Sequence, residues 1–196
     1  MRHFDKPKDK IRWAHIITAG GSVPDTTYLI KHRKRLTDLG WDSQELDIKG
    51  KKPAELRAFL ADKDAINMDG GNSYFLIKCI RESGFADVLN EFLERGGVYC
   101  GSSAGAYVAC PTIEQAGWKD PKKFNHHGVT DLTGMNLVPF IVCAHYRPEM
   151  KELLAPSIAT AKYEVKILTD QQAIVVRDDE YEVITDPNIA TKDYGG

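Results

Sequence analysis

The spacing of apolar and polar positions changes character several times along the chain. Residues 11-IRWAHIIT-18 are a dense apolar run closed by Gly20-Gly21, which predicts a buried strand ending in a turn. DTTYLIKHRKRLTDL (25–39) predicts a helix, with Asp25 as N-cap and Gly40 just past its end. WDSQELDI (41–48) reads as a second strand and PAELRAFLADK (53–63) as a second helix, opened by Pro53. The short strand DAINMD (64–69) leads through Gly70-Gly71-Asn72 into a helix over SYFLIKCIRESG (73–84). ADVLNEFLERGG (86–97) is amphipathic, ends in glycine and feeds the strand 97-GVYC-100. Strand and helix in alternation predict an α/β, doubly wound fold, its mostly parallel sheet covered by helices on both faces.

Beyond that point the pattern loosens. Trp118 to Gly134 is polar and irregular, FIVCA (140–144) predicts a strand, and KELLAPSIATAKY (151–163) is partly helical. QQAIVVRDDEYEVIT (171–185) predicts a C-terminal β-hairpin with Asp178-Asp179 near its turn.

Composition narrows the classes. A chain of 196 residues is long enough for one domain (1–196) with a substantial core and too short for two full ones. A formal net charge of -2 argues against nucleic acid as a partner. The opening MRHFDKPKDK is hydrophilic, and no apolar run of about 18 residues could cross a bilayer, so the expectation is a cytoplasmic protein without a membrane partner. Cys79, Cys100, Cys110 and Cys143 are widely spaced with no CxxC pair, which suits reduced, buried thiols rather than disulfides or a zinc site.

The chemistry concentrates at 101-GSSAGAYVACP-111, directly after a strand. Gly101-Ser102-Ser103-Ala104-Gly105 fits G-x-S-x-G, in which small neighbours let a serine occupy a tight strand-to-helix turn with its Oγ exposed. The same residues also suit a helix packed closely on a strand, and the pentapeptide alone does not choose. Serine needs a base, and histidine is the side chain best matched to that task. Among His3, His15, His32, His126, His127 and His145, the last follows FIVCA at the carboxyl end of its strand, the rim on which ligands bind in such sheets. In 69-DGGNSYFL-76 the turn either presents backbone N–H groups to an oxyanion, together with Ala104, or is a plain strand-to-helix connection.

GGNSYFL, GSSAGAYVACPTIE and GMNLVPFIVCAHY, in this order and spacing, resemble the dipeptidase E and cyanophycinase family of serine peptidases over most of the chain. The resemblance implies a class I glutamine amidotransferase-like fold, with Ser103 as nucleophile, His145 as base and then acid, and amides around Gly71 and Ala104 as oxyanion hole. It implies a short peptide as substrate; Asn72 and Arg147 are the expected binding residues, Arg147 and Lys151 being the nearest cations in HYRPEMK and either able to pair with a substrate carboxylate. No metal and no organic cofactor is expected. For the third triad member, the shared run ACPTI puts the family's aspartate near Trp118, and the acid at hand is Asp120, with Glu114 as fallback and Asp131 more remote. The family's arginine-bearing segment after the histidine has no match here, which leaves aspartyl specificity open. Two rivals stand beside a peptidase: an esterase or amidase with the same triad, and a non-catalytic binding protein on the same scaffold.

Overall fold

A computed structural model describes residues 6–23, 27–120, 125–178 and 180–186. The expected N-cap Asp25, the turn residue Asp179 and His3 lie outside these residues. Four strands, β1 (Arg12–Ile16), β2 (Asp42–Leu46), β3 (Ala65–Met68) and β4 (Val98–Gly101), form one sheet in the order β2-β1-β3-β4. Every neighbouring pair in it is parallel. The four-residue run AINM of β3 is buried throughout, the mark of a strand covered on both faces. At the edge, β2 is DSQEL and largely exposed.

Between these strands run α1 (Thr27–Asp38), α2 (Pro53–Leu60), α3 (Ser73–Ser83) and α4 (Phe85–Glu94). Local chemistry starts them: Pro53 occupies the first turn of α2, and the Glu55 carboxylate accepts from the Lys52 N–H. Their apolar faces meet the sheet in one core that includes Ile16, Ile66, Met68, Leu76, Phe85 and Leu89, each fully buried. Burial of each such side chain contributes about 1.5–3 kcal/mol. After β4 the chain turns into α5 (Ala104–Ala109), then passes through a 3-10 turn at Glu114–Gly117.

The last third holds a strand that the sequence pattern did not announce. β5 (Ile141–Cys143) pairs in parallel with β6 (Val165–Ile167), the crossover being α6 (Lys151–Thr160). The expected hairpin follows as β7 (Gln172–Arg177) against β8 (Glu180–Thr185). The parallel strands are thus divided between a four-stranded sheet and a pair. A small second core of Cys110, Phe140, Val142 and Leu168 joins α5 to that pair. Among the described residues no helix is long and apolar enough to cross a membrane.

Candidate active site

Ser103 is the N-cap of α5 with φ 49° and ψ −109°, a backbone conformation that side chains other than glycine rarely adopt. Such a sharp strand-to-helix turn lifts the serine Oγ above the end of the sheet. Its neighbours are small for a second reason as well. The Ser102 N–H donates to the Met68 carbonyl at 3.0 Å, and a Cβ on Gly105 would lie 2.2 Å from that same oxygen. Both readings of the pentapeptide therefore hold at once: close packing on β3 is what makes the elbow.

Gly70 lies against the elbow, since a Cβ placed on it would sit 3.1 Å from the Ser103 Cβ. Gly71 has φ +139°, and a Cβ there would lie 2.3 Å from the Ala19 carbonyl oxygen, so only glycine fits. Asn72, expected to touch substrate, is 5% exposed, and its Oδ1 caps α3 by accepting from the Phe75 N–H at 2.9 Å. That buried capping position is explained by helix initiation.

His145 follows β5 and, like Ser103, has a positive φ, 58°. The segments around it are locked together: Leu168 N–H donates to the Cys143 carbonyl and Tyr146 N–H to the Leu168 carbonyl, each at 2.9 Å. This brings Asp170, just past β6, to the histidine. The Nδ1 of His145 lies 2.6 Å from Asp170 Oδ1, with the carboxylate side chain 8% exposed and the imidazole 38%. A histidine held through Nδ1 by a shielded carboxylate keeps Nε2 for a nucleophile. α5 packs on β5, with Tyr107 Oη 3.4 Å from the Ala144 carbonyl and the Val142 N–H 3.2 Å from Cys110 Sγ. The helix that starts at Ser103 therefore rests on the strand that ends before His145.

The carboxylate at Nδ1 is a correction to the sequence-based expectation. Asp120 is exposed in the loop beyond Glu114–Gly117, and Glu114 begins that 3-10 turn. Asp131 is turned toward Arg81, 3.2 Å away, and accepts from the Thr133 N–H. Asp170 was missed because β6 was missed. Its signal is an acid two residues beyond the short run VKIL, at the carboxyl end of a strand. Arg147 is exposed at the start of the turn Pro148–Met150, and Lys151 is exposed at the head of α6.

The thiols near the elbow are not nucleophiles in waiting. Burial pushes Cys100 and Cys110 up to about 11, and raises Cys143 as well, so they stay protonated at neutral pH. A separate polar group stands behind the Gly70-Gly71 turn. The buried Asp69 carboxylate meets His15 Nε2 and His32 Nδ1, each at 2.6 Å. Burial drives that carboxyl upward, but the hydrogen bonds from His15 and His32 outweigh it and hold it below the ordinary value. These three residues have the donor set to hold a metal ion.

The chain is similar to known peptidases. An uncharacterised peptidase of Listeria innocua is 31% identical over 169 residues, covering 84% of this chain and 80% of its own. Peptidase E of Escherichia coli O1:K1 is 31% identical over 98 residues, covering 48% of this chain and 39% of the enzyme. A crystal structure from Listeria monocytogenes EGD-e, provisionally described as a peptidase E protein, superposes with a TM-score of 0.80 at 27% identity, covering 93% of this chain and 89% of that one. The model of the family described as Peptidase family S51 matches residues 2–184. Because that match takes in the elbow, the strand before His145 and the loop of Asp170, the chain belongs to peptidase family S51 and is a serine peptidase.

Proposed function

We propose that the chain hydrolyses short peptides through Ser103, His145 and Asp170. The observation that carries this reading is the 2.6 Å contact between His145 Nδ1 and the shielded Asp170 carboxylate. It supports the tautomer in which Nε2 accepts a proton. Ser103 Oγ attacks the scissile carbonyl while His145 Nε2 takes its proton. His145 then passes that proton to the leaving amine, and water repeats the sequence on the acyl-enzyme. The backbone amides of Ala104 and Gly71 receive the oxyanion, a contribution of about 3–4 kcal/mol per donor in comparable sites. Arg147, exposed two residues after His145, is available to pair with a substrate carboxylate. The relatives called Peptidase E support a peptide as the substrate class.

The test joins a fluorophosphonate probe with a substrate panel. Wild type is expected to label at Ser103 and to cleave dipeptides, and Ser103→Ala to lose labelling and at least about 10³-fold of the activity. Turnover of p-nitrophenyl esters with no peptide cleavage would replace the peptidase reading by an esterase. A folded wild type that does not label would replace it by a binding protein.

A further inference from the structure

Three side chains from three elements converge behind the Gly70-Gly71 turn. His15 lies in β1, His32 in α1, and Asp69 directly follows β3. In the sheet register His15 pairs with Asn67, and Asn67 and Asp69, two residues apart, share a face of the sheet. Asn67 Nδ2 donates to Asp69 Oδ1 at 3.2 Å. The two imidazoles stand edge to face with centroids 5.5 Å apart. One donor atom from each of His15, His32 and Asp69 lies within 4.8 Å of the other two.

We propose that His15, His32 and Asp69 form a binding site for a divalent cation of the zinc class. Two imidazole nitrogens and one carboxylate oxygen suit such an ion and leave a fourth, tetrahedral position for water. Ligands at about 2.0–2.2 Å from zinc stand roughly 3.3 Å from one another. His15 Nε2 now meets Asp69 Oδ2 and His32 Nδ1 meets Oδ1, each at 2.6 Å, so admitting the ion takes a turn of the carboxylate that offers one oxygen to both rings and a ligand spacing wider by roughly 0.7 Å.

The surroundings supply two further parts of such a site. The outer nitrogen of His15, Nδ1, faces Glu45 Oε1 at 3.9 Å, and Glu45 is itself held by the Arg33 guanidinium. At that distance Glu45 is not hydrogen-bonded to the ring; it places negative charge beside the imidazole that would ligate the ion. An entry path is also present. The side chains of His15 and Asp69 are 1% and 0% exposed, while that of His32 is 27% exposed, so the ion and its water approach from the α1 side. Bound there, the cation ties α1 to the ends of β1 and β3, one residue ahead of the Gly70 that abuts Ser103.

The test uses the full chain, freed of metal by chelation and titrated with CoCl2, a spectroscopic stand-in for zinc. One equivalent of Co²⁺ is expected to produce the visible d–d absorption of a four-coordinate site, displaced by ZnCl2. His32→Ala, a change at a half-buried surface, is expected to keep its far-UV circular dichroism and to lose about 100-fold or more in affinity. A folded wild type without stoichiometric Co²⁺ absorption overturns the proposal. So does a titration unchanged in His32→Ala, or a thiolate-to-cobalt charge-transfer band, which would move the ion to a cysteine. Neither readout depends on peptidase activity.

Discussion

Ser103 and His145 hold φ angles of 49° and 58°, each at a cost of about 1–3 kcal/mol. Packing elsewhere sustains both, so the two side chains are held in place before any substrate arrives. In the proposed mechanism Asp170 completes the arrangement by favouring the tautomer with the proton on Nδ1. Asp170→Asn, which offers an amide donor where Nδ1–H needs an acceptor, is expected to lower kcat by about 10³–10⁴-fold with little change in KM. Asp120→Asn is expected to stay within a few-fold of wild type. Steady-state kinetics on one chromogenic peptide separates the two, and a larger loss in Asp120→Asn would return the triad acid to that loop. The positions of Ser103 and His145 at the ends of β4 and β5 were legible in the sequence because a strong apolar run leads to each. That of Asp170 was not, because it follows a run too short to stand out.

At the scale of elements, α5 decides how close the elbow comes to the sheet. Gly105→Ala puts a methyl group 2.2 Å from the Met68 carbonyl oxygen, so helix and strand must separate. The expected outcome is a loss of about 1–3 kcal/mol, read as a lower guanidinium midpoint with an unchanged slope. Activity is expected to fall with it, since Ser103 moves with the helix. The alternating strands and helices up to β4 were readable from periodicity, with ends displaced by only a few residues. β6 was not: Val165–Ile167 has three residues and follows a helix containing Pro156, so neither its length nor its flanks announced it. The convergence of His15, His32 and Asp69 was equally hidden. His15 reads as one more residue of a buried strand and His32 as one more polar residue of a charged helix; the register of β1 on β3 brings His15 to Asp69, and the placement of α1 beside the sheet adds His32.

For the whole molecule, the division of the parallel strands into two sheets separates the groups of the proposed triad. Ser103 follows a strand of the four-stranded sheet, while His145 and Asp170 follow the strands of the β5-β6 pair. The joint between them is the small core of Cys110, Phe140, Val142 and Leu168, far smaller than the core of the main sheet. In a urea titration, activity is therefore expected to disappear at a lower concentration than far-UV circular dichroism, because the smaller unit undocks first. Coincident curves would instead mean one cooperative unit. The same division has a temporal side. All four strands of the main sheet and the elbow precede residue 110, whereas the base and its partner lie at 145 and 170. On the ribosome, where folding proceeds from the amino end at about 5–20 residues per second, the elbow is in place before His145 and Asp170 exist. With the proposed triad, hydrolytic power arrives only when the last third of the chain has been made, so an incomplete product carries a finished elbow and no means to use it.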